Sequence, residues 1–523
     1  MRFISARKQY STYAKTGLLG LALISLASCS SGDSTTPVVT SSGSAALQGP
    51  IVFVNNTTSK SLTSVALKGD SGNAVLGSID AAEFENVALG DMQFTEGEWV
   101  FLNLAAANKV AAIDPLTGAQ PVHETNLAAG TRPVHMYRDS NDGEIVWIMN
   151  DGDNAGGTLT PGDDLINCAA QGGGSVTVIH NSHLGPGGTP PVVLGTTCLL
   201  ADGHKVTAFS SGAGMPKRAF VSSETAGEIA VIDGDETSAN YRKVIARIDL
   251  CRPGKETVPA TCNDESATAA TTAFTPNGAA PHGIRWSKLT KKVYSIQEGY
   301  HEISEIDPVT FTVTPILDLT GLPYTAFGIS PDGRFLLLRG DTTPVTGTKL
   351  GVLDLSVTPA VRTDFTIPEL NGTAPGSFKF SPDGNRFYIL AGNTATATKK
   401  DRLFAFNAST LTAAVPALTL LREIPLVATG GHSFDVLAQG AGAATFIAVS
   451  NSTDNSLSVI NATDNLIKQT VSNIGANGSS LGGVMVYAPG TAAAGNQATS
   501  SLTGGGGGCT ICLPRAVRRS RDA

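Results

Sequence analysis

Residues 377–393 read SFKFSPDGNRFYILAGN, and residues 327–341 read FGISPDGRFLLLRGD. In both stretches an apolar segment meets a Pro-Asp-Gly turn, and a second apolar segment follows. Pro presets φ early in such a turn, and Gly accepts the positive φ that the turn requires. Short apolar or alternating runs between turns are typical of half-buried or buried β-strands. The two stretches therefore predict two hairpins of the same design.

The same unit recurs along most of the chain. Longer copies add a third strand that ends near Asp, as in PHGIRWSKLTKKVYSIQEGYHEISEIDP (281–308) and FDVLAQGAGAATFIAVSNSTDNSLSVINATD (434–464). The second strands lie about 40–50 residues apart, except in two longer units, and this is the repeat length of a propeller blade. We therefore predict an all-β chain that folds as a single β-propeller.

The number of blades follows from counting units. Complete units start near residues 88, 131, 203, 279, 323, 373 and 430. One first strand, GGVMVYAP (482–489), then stands without partners, whereas PIVFVNN (50–56) and SLTSVALKG (61–69) lack a first strand. Joining the two ends gives one composite blade, which closes the ring and removes its open edges. The count favours eight blades; seven is the alternative if one long unit is mostly an insertion.

The repeats resemble a known group of propellers. VFVNNTTSKSLTSVAL (52–67) and AVSNSTDNSLSVI (448–460) are similar to YVTN and related NHL or WD-like repeats. The resemblance covers about four-fifths of the chain and implies the fold but no particular activity.

The first 28 residues are typical of an export signal. Four basic residues precede an apolar run of twelve, GLLGLALISLAS (17–28), which is too short to span a bilayer as a helix. Leu26-Ala27-Ser28-Cys29 resembles the bacterial lipobox, whose Cys is lipidated; an ordinary secretory signal is the alternative. The resemblance implies a lipid on Cys29, and Ser30 after it implies retention at the outer membrane, on its periplasmic side or at the cell surface.

Two low-complexity segments flank the predicted propeller. We expect residues 29–48 to be a flexible tether, residues 49–488 to form the propeller, and residues 489–523 to be a Gly-rich disordered tail. Cys509 and Cys512 lie in that tail, where no strand or helix supports a metal or redox motif.

Composition limits the choice of partner. Asp and Glu number 44 against 36 for Lys and Arg, which gives a net charge of −8, so a nucleic-acid partner is not expected. Only 15% of residues are charged, which is too few for coiled coils and most helical bundles.

Four cysteines lie in the two longest units. Cys168 and Cys198 bracket one insertion, and Cys251 and Cys262 bracket another. In an exported chain such cysteines predict disulfides that pin loops, and locality favours the sequential pairing of the three that four cysteines allow.

Histidines recur near the start of the first strands, which line the central channel of a propeller. His135 (RPVHMY), His282 (PHGIRW) and His432 (GGHSFD) align there, and His204 (DGHKVTAFS) is one position off. Convergent imidazoles bind transition metals such as Cu or Zn. The propeller of nitrous oxide reductase, which these repeats resemble in fold, holds copper with channel-facing histidines, although it uses more of them. Histidines that only bond the backbone are the alternative.

Two weaker candidates lie on loops. Asp151, Asp153, Asn154, Asp163 and Asp164 offer oxygen ligands for Ca²⁺, without the spacing of an EF-hand.

The other candidate is a turn after a second strand. It carries Glu298, Tyr300, His301 and Glu302, which could face a ligand. From these features we predict a lipid-anchored binding or scaffold protein that recognises a protein, glycan or small molecule on one propeller face. The alternative is a metal-dependent enzyme, redox or lactonase-like, that uses the histidines.

Overall fold

The described part of the chain consists of short β-strands joined by turns and loops. The computed structural model describes residues 49–95, 99–114, 122–152, 174–181, 191–199, 203, 205–256, 262, 265–269, 275–340, 350–393, 401–427, 433–438, 443–475 and 481–487. They fall in Ala46–Ala523, the second of the two units into which the chain divides. The described residues contain no α-helix and no helix long and apolar enough to cross a membrane.

The first four sheets begin with the N-terminal strands. Blade 1 takes β1 (Ile51–Asn56), β2 (Ser61–Ala66) and β3 (Ala74–Ile79). Blade 2 contains β4 (Met92–Phe94), β5 (Val100–Leu104), β6 (Lys109–Ile113) and β7 (Val122–Asn126). Blade 3 contains β8 (Pro133–Arg138), β9 (Ile145–Asn150), β10 (Ser175–His180) and β11 (Val192–Cys198). Blade 4 contains β12 (Lys205–Ser210), β13 (Arg218–Ser223), β14 (Glu228–Asp233), β15 (Val244–Asp249) and a short fifth strand, β16 (Ala267–Thr268).

The remaining strands repeat the pattern. Blade 5 contains β17 (Pro281–Ser287), β18 (Lys292–Gln297), β19 (Glu302–Ile306) and β20 (Val313–Asp318). Blade 6 contains β21 (Tyr324–Ile329), β22 (Phe335–Gly340), β23 (Leu350–Asp354) and β24 (Val361–Phe365). Blade 7 contains β25 (Thr373–Phe380), β26 (Arg386–Asn393), β27 (Arg402–Asn407) and β28 (Thr419–Pro425). Blade 8 contains β29 (Phe434–Ala438), β30 (Ala444–Asn451), β31 (Ser456–Asn461) and β32 (Leu466–Val471). Short 3-10 helices occupy connections at Ala81–Phe84, Ala105–Ala107, Pro368–Leu370 and Ser409–Thr412.

The last strand closes the ring. β33 (Leu481–Tyr487) pairs antiparallel with β1, so the sheet order of blade 1 is β3-β2-β1-β33. The structure thus has eight blades, as counted from the sequence, and the composite blade made of both chain ends is confirmed.

Apolar clusters join each blade to the next. Separate clusters lie between blades 1 and 2, 2 and 3, 5 and 6, 6 and 7, 7 and 8, and 8 and 1, and one large cluster spans blades 3 to 5. Since every neighbouring pair shares a core, the ring buries both faces of each sheet. This explains strands that are apolar on both sides, such as the fully buried FLLLRG of β22.

A buried Asn ends the second strand of several blades. The Asn150 amide donates to the hydroxyls of Ser175 and Thr177 at 3.0 and 2.9 Å, and Asn451 repeats this arrangement in blade 8. These bonds hold the second and third strands together where they meet the turn.

Candidate functional site at the channel mouth

The inner strands of blades 3, 5 and 6 each begin with a β-bulge. In blade 5, Pro281 lies opposite Gln297 and Gly283 opposite Ile296, which leaves His282 as the extra residue. Val134 and Thr325 hold the same place in blades 3 and 6. Bulges re-aim side chains. Val134 and His282 are half-buried and Thr325 is exposed, while both sequence neighbours of each are buried. We call His282, Val134 and Thr325, with the adjacent Glu298, the channel mouth.

His282 is the ionisable member of this ring of bulges, and it has a carboxylate partner. Its Nδ1 lies 3.2 Å from Oε1 of Glu298, which begins the turn between β18 and β19. The side chains are 16% and 36% exposed, so both remain open to solvent. The Glu298 backbone amide donates to the carbonyl of Ala280, which ties this turn to the start of β17. Because β17 and β18 are antiparallel, the start of one and the end of the other meet at the mouth.

Nearby charges determine the protonation of His282. Burial disfavours the charged imidazole, but the hydrogen bond and the charge of Glu298, with the charge of Glu224, outweigh it and raise the pKa of His282 above its usual 6.5. Glu224 follows β13 in blade 4. The His135 imidazole acts in the opposite direction on the same pKa.

His135 occupies a different setting. Its side chain is fully buried, and its Nδ1 lies 3.5 Å from Oδ2 of Asp91, which precedes the inner strand of blade 2. The same carboxylate accepts hydrogen bonds from the backbone amides of Met92 and Met136 at 2.9 and 3.2 Å. His135 therefore belongs to the interface between blades 2 and 3.

The structure shifts the predicted alignment of histidines by one residue. His135 and His282 align in sequence, but His282 is the bulge residue of its blade whereas His135 follows the bulge residue of its own. The bulge adds one residue to the inner strand, so side chains on either side of it point to different surroundings.

The other two predicted ligands, His204 and His432, lie outside the described residues. Within the part of the chain that the structure describes, no group of three His, Cys, Asp or Glu is placed to hold a metal ion. The four-histidine metal site therefore stays a prediction. The predicted Ca²⁺ loop also stays untested, because only Asp151 of its acidic residues is described.

The residues of the turn at 298–302 face two different surroundings. Glu298 faces His282, and His301 is exposed. Tyr300, by contrast, is buried and donates to Oε1 of Glu256 at 2.5 Å, and burial with this bond raises the pKa of its phenol. Buried Glu302 accepts from Arg252 at 2.7 Å. Tyr300 and Glu302 thus anchor the insertion that leads from blade 4 to blade 5.

A disulfide lies in the same insertion. Cys251 and Cys262 are bonded, as the sequence predicts. Cys198 is also disulfide-bonded, while Cys168, its predicted partner, lies outside the described residues, as do Cys29, Cys509 and Cys512.

Sequence reasoning did not select Asp91, Glu224 or Arg285, although all three lie on or beside inner parts of blades 2, 4 and 5. One signal was available for Arg285, since an arginine stands among apolar residues in the first strand of PHGIRWS. Asp91 and Glu224 act on histidines of neighbouring blades, and the sequence of a single unit does not show which residues of two blades meet.

Comparison with the solved structure of AztD supports the fold. AztD from Citrobacter koseri superposes with a TM-score of 0.50 at 11% identity, over 85% of this chain and 99% of that one. The periplasmic gluconolactonase PpgL from Pseudomonas aeruginosa gives 0.46 at 14% identity, over 84% and 99%. No family model and no curated protein matches the sequence. The chain is thus an eight-bladed β-propeller closed by a composite blade, with a histidine–carboxylate pair at its channel mouth.

Proposed function

We propose that this propeller is an exported binding protein that takes a small polar ligand at the channel mouth. The observation that carries the proposal is the bulged His282 with its partner Glu298, since a hydrogen-bonded pair that stays open to solvent offers both a donor and an acceptor. The ladder between β17 and β18 and the bond from the Glu298 amide to the Ala280 carbonyl hold the two residues in place, so the pair is preorganised for binding.

The insertion beside the mouth supports the proposed binding site. Glu256 accepts hydrogen bonds from Tyr300 and from the amide of Gly278, and Arg252 bridges Glu265 and Glu302. These contacts fix the turn that carries Glu298. The insertion therefore acts as a positioning element and as a candidate contact surface for a larger partner, either a protein or a glycan.

A thermal-shift screen of the purified protein against small polar metabolites tests the proposal. A binder should raise the melting temperature of the wild type, and this rise should be lost in His282→Ala and Glu298→Gln. His301→Asn is the matched control, because His301 is exposed on the same turn and should keep the response. If a ligand raised the melting temperature of His282→Ala as much as that of the wild type, its binding site would lie outside the mouth.

Export and lipid anchoring belong to the same proposal. The signal-like residues 1–28 and the lipobox-like Leu26–Cys29 support it, and the Cys251–Cys262 disulfide fits an oxidising compartment. In a Gram-negative host, Cys29→Ser should abolish labelling by a radioactive fatty acid and release the protein from the outer-membrane fraction. Unchanged labelling would refute the anchor.

A second candidate is a metal-dependent enzyme that uses His135, His204, His282 and His432. The observation that favours it is that His135 and His282 both have a carboxylate at Nδ1, the arrangement that orients metal-binding imidazoles. Elemental analysis of protein purified without affinity metals tests it. One equivalent of Cu or Zn in the wild type and none in His135→Ala/His282→Ala would support the enzyme, whereas no metal in either folded protein would leave the binding protein.

A further inference from the structure

Arg285 is a buried cation on the inner strand of blade 5. It lies three residues beyond His282 on β17, about 10 Å farther along the strand at the usual rise per residue. The residue is only 3% exposed. Its neighbours Ile284 and Trp286 pack into the core shared by blades 3 to 5, so strand alternation directs Arg285 to the other side of β17.

Among the residues that the structure describes, the guanidinium has little to balance its charge. Its one hydrogen bond to any of them goes to the carbonyl of the adjacent Ile284, at 2.7 Å. It forms no ion pair and no cation–π contact with any residue for which the structure gives a position. Burial lowers the pKa of Arg285, and the ionisable group that counteracts this is the Tyr137 phenol. Tyr137 lies on β8, the inner strand of blade 3.

A buried arginine keeps its charge and normally has an anionic partner. We propose that Arg285 is the core of an anion site within the channel, and that its natural occupant carries a small oxyanion, either a carboxylate or a phosphate. The planar guanidinium matches both groups because it offers two parallel N–H donors. The proposal stands independently of the ligand proposed for His282 and Glu298.

Anion titrations followed by thermal unfolding test the site. Sodium phosphate, sodium acetate and sodium chloride are added separately to the purified full-length protein at low ionic strength. We expect phosphate or acetate to raise the melting temperature with a saturable dependence, since a ligand that binds only the folded state stabilises it. Phosphate and acetate distinguish a tetrahedral from a planar occupant.

Variants assign the effect to the guanidinium. Arg285→Gln should weaken the apparent affinity by about tenfold or more, because it removes a charge-assisted hydrogen bond. Arg402→Gln is the control: Arg402 pairs with Glu423 at 2.8 Å in the outer half of blade 7, and its loss should leave the anion response unchanged. If Arg285→Gln does not fold, Arg285→Lys keeps the charge but lacks the fork, and its oxyanion response should weaken several-fold.

Three outcomes would overturn the assignment. They are no saturable oxyanion response in the wild type, a response to chloride alone, and an equal response in wild type and the Arg285 variants. His282→Ala separates this proposal from the mouth ligand, because that variant should retain the oxyanion response even if no mouth ligand is found.

Discussion

Blades 4 and 5 each bury an arginine, and the two arginines differ in the partners of their guanidinium groups. Arg247 on β15 forms an ion pair with Glu228 on β14 and donates to the carbonyl of Leu199. Arg285 on β17 has, in the described part of the chain, only a hydrogen bond to the carbonyl of its neighbour Ile284. Both are nearly inaccessible, at 0% and 3% exposure. The first charge is balanced by Glu228, whereas the second has no ion partner among the described residues, and this difference separates a structural ion pair from the proposed anion site.

The largest effect is expected from breaking the balanced pair. Glu228→Gln leaves the Arg247 charge buried without a counter-charge, so it should lower the free energy of unfolding by about 3–5 kcal/mol. Urea unfolding measures this loss. Glu423→Gln is the matched control, because its pair with Arg402 is partly exposed and should contribute about 0–1 kcal/mol. Equal losses in the two variants would contradict the distinction.

Asp139 shows a third way to hold a buried charge. It has hydrogen bonds in place of a counter-ion: its carboxylate accepts from the indole of Trp147 at 2.9 Å and from the amide of Asn141 at 2.7 Å. Burial outweighs these bonds and raises the pKa of Asp139 to about 6, from 3.8. The folded state therefore holds a proton between about pH 4 and pH 6 that the unfolded state releases. Its contribution to stability falls as pH rises through that window.

Asp139→Asn should remove this pH dependence. The free energy of unfolding of the wild type, relative to the variant, should fall by about 3 kcal/mol between pH 3.5 and pH 7. Burial and a bond to Asp142 also raise the pKa of nearby Glu236, and the charge of Asp139 adds to this. Comparing the two proteins therefore removes the part of the Glu236 titration that does not depend on Asp139. A difference that stays constant with pH would show that Asp139 titrates normally.

Local sequence was sufficient to predict the ring. Turns such as Pro331-Asp332-Gly333 and the alternation of the strands are properties of one unit, and the count of eight follows from adding units. The composite blade was predictable because two incomplete units, at residues 50–69 and 482–489, complement each other. YVTN or NHL membership rests on residue patterns that the fold does not test, so it stays a prediction.

The candidate site was only partly predictable. His282 and Glu298 were both selected from the sequence, but as parts of separate features, and only the antiparallel register brings them together. The bulge offsets His135 from His282 by one residue, and an alignment of repeats cannot detect such an offset. Whether Arg285 has a partner depends on contacts between blades, which no single repeat encodes.

The Asn residues at the ends of second strands allow the same comparison, between buried groups with and without partners, for neutral side chains. Asn150 binds two hydroxyls on β10, but in blade 2 Val110 takes the place of Ser175 opposite Asn103. Neither amide atom of Asn103 has a hydrogen-bond partner among the described residues. Asn150→Ala should therefore lower the unfolding free energy by about 1–3 kcal/mol, whereas Asn103→Ala should change it by less than about 1 kcal/mol. Similar losses in chemical denaturation would mean that Asn103 has a partner, such as bound water.

The smallest effect should come from Arg285, and its smallness is what makes it informative. Arg247→Met leaves Glu228 as a lone buried charge and should destabilise the protein by about 3–5 kcal/mol. Arg285→Met removes a charge that no described carboxylate balances, so at low anion concentration the unfolding free energy should change by less than about 1 kcal/mol or rise. Added phosphate or acetate should then stabilise the wild type and leave Arg285→Met unaffected, which reverses or widens the difference between them. If Arg285→Met lost several kcal/mol of unfolding free energy without any added anion, Arg285 would be a structural residue like Arg247. The group that stabilises its buried charge would then belong to the protein itself.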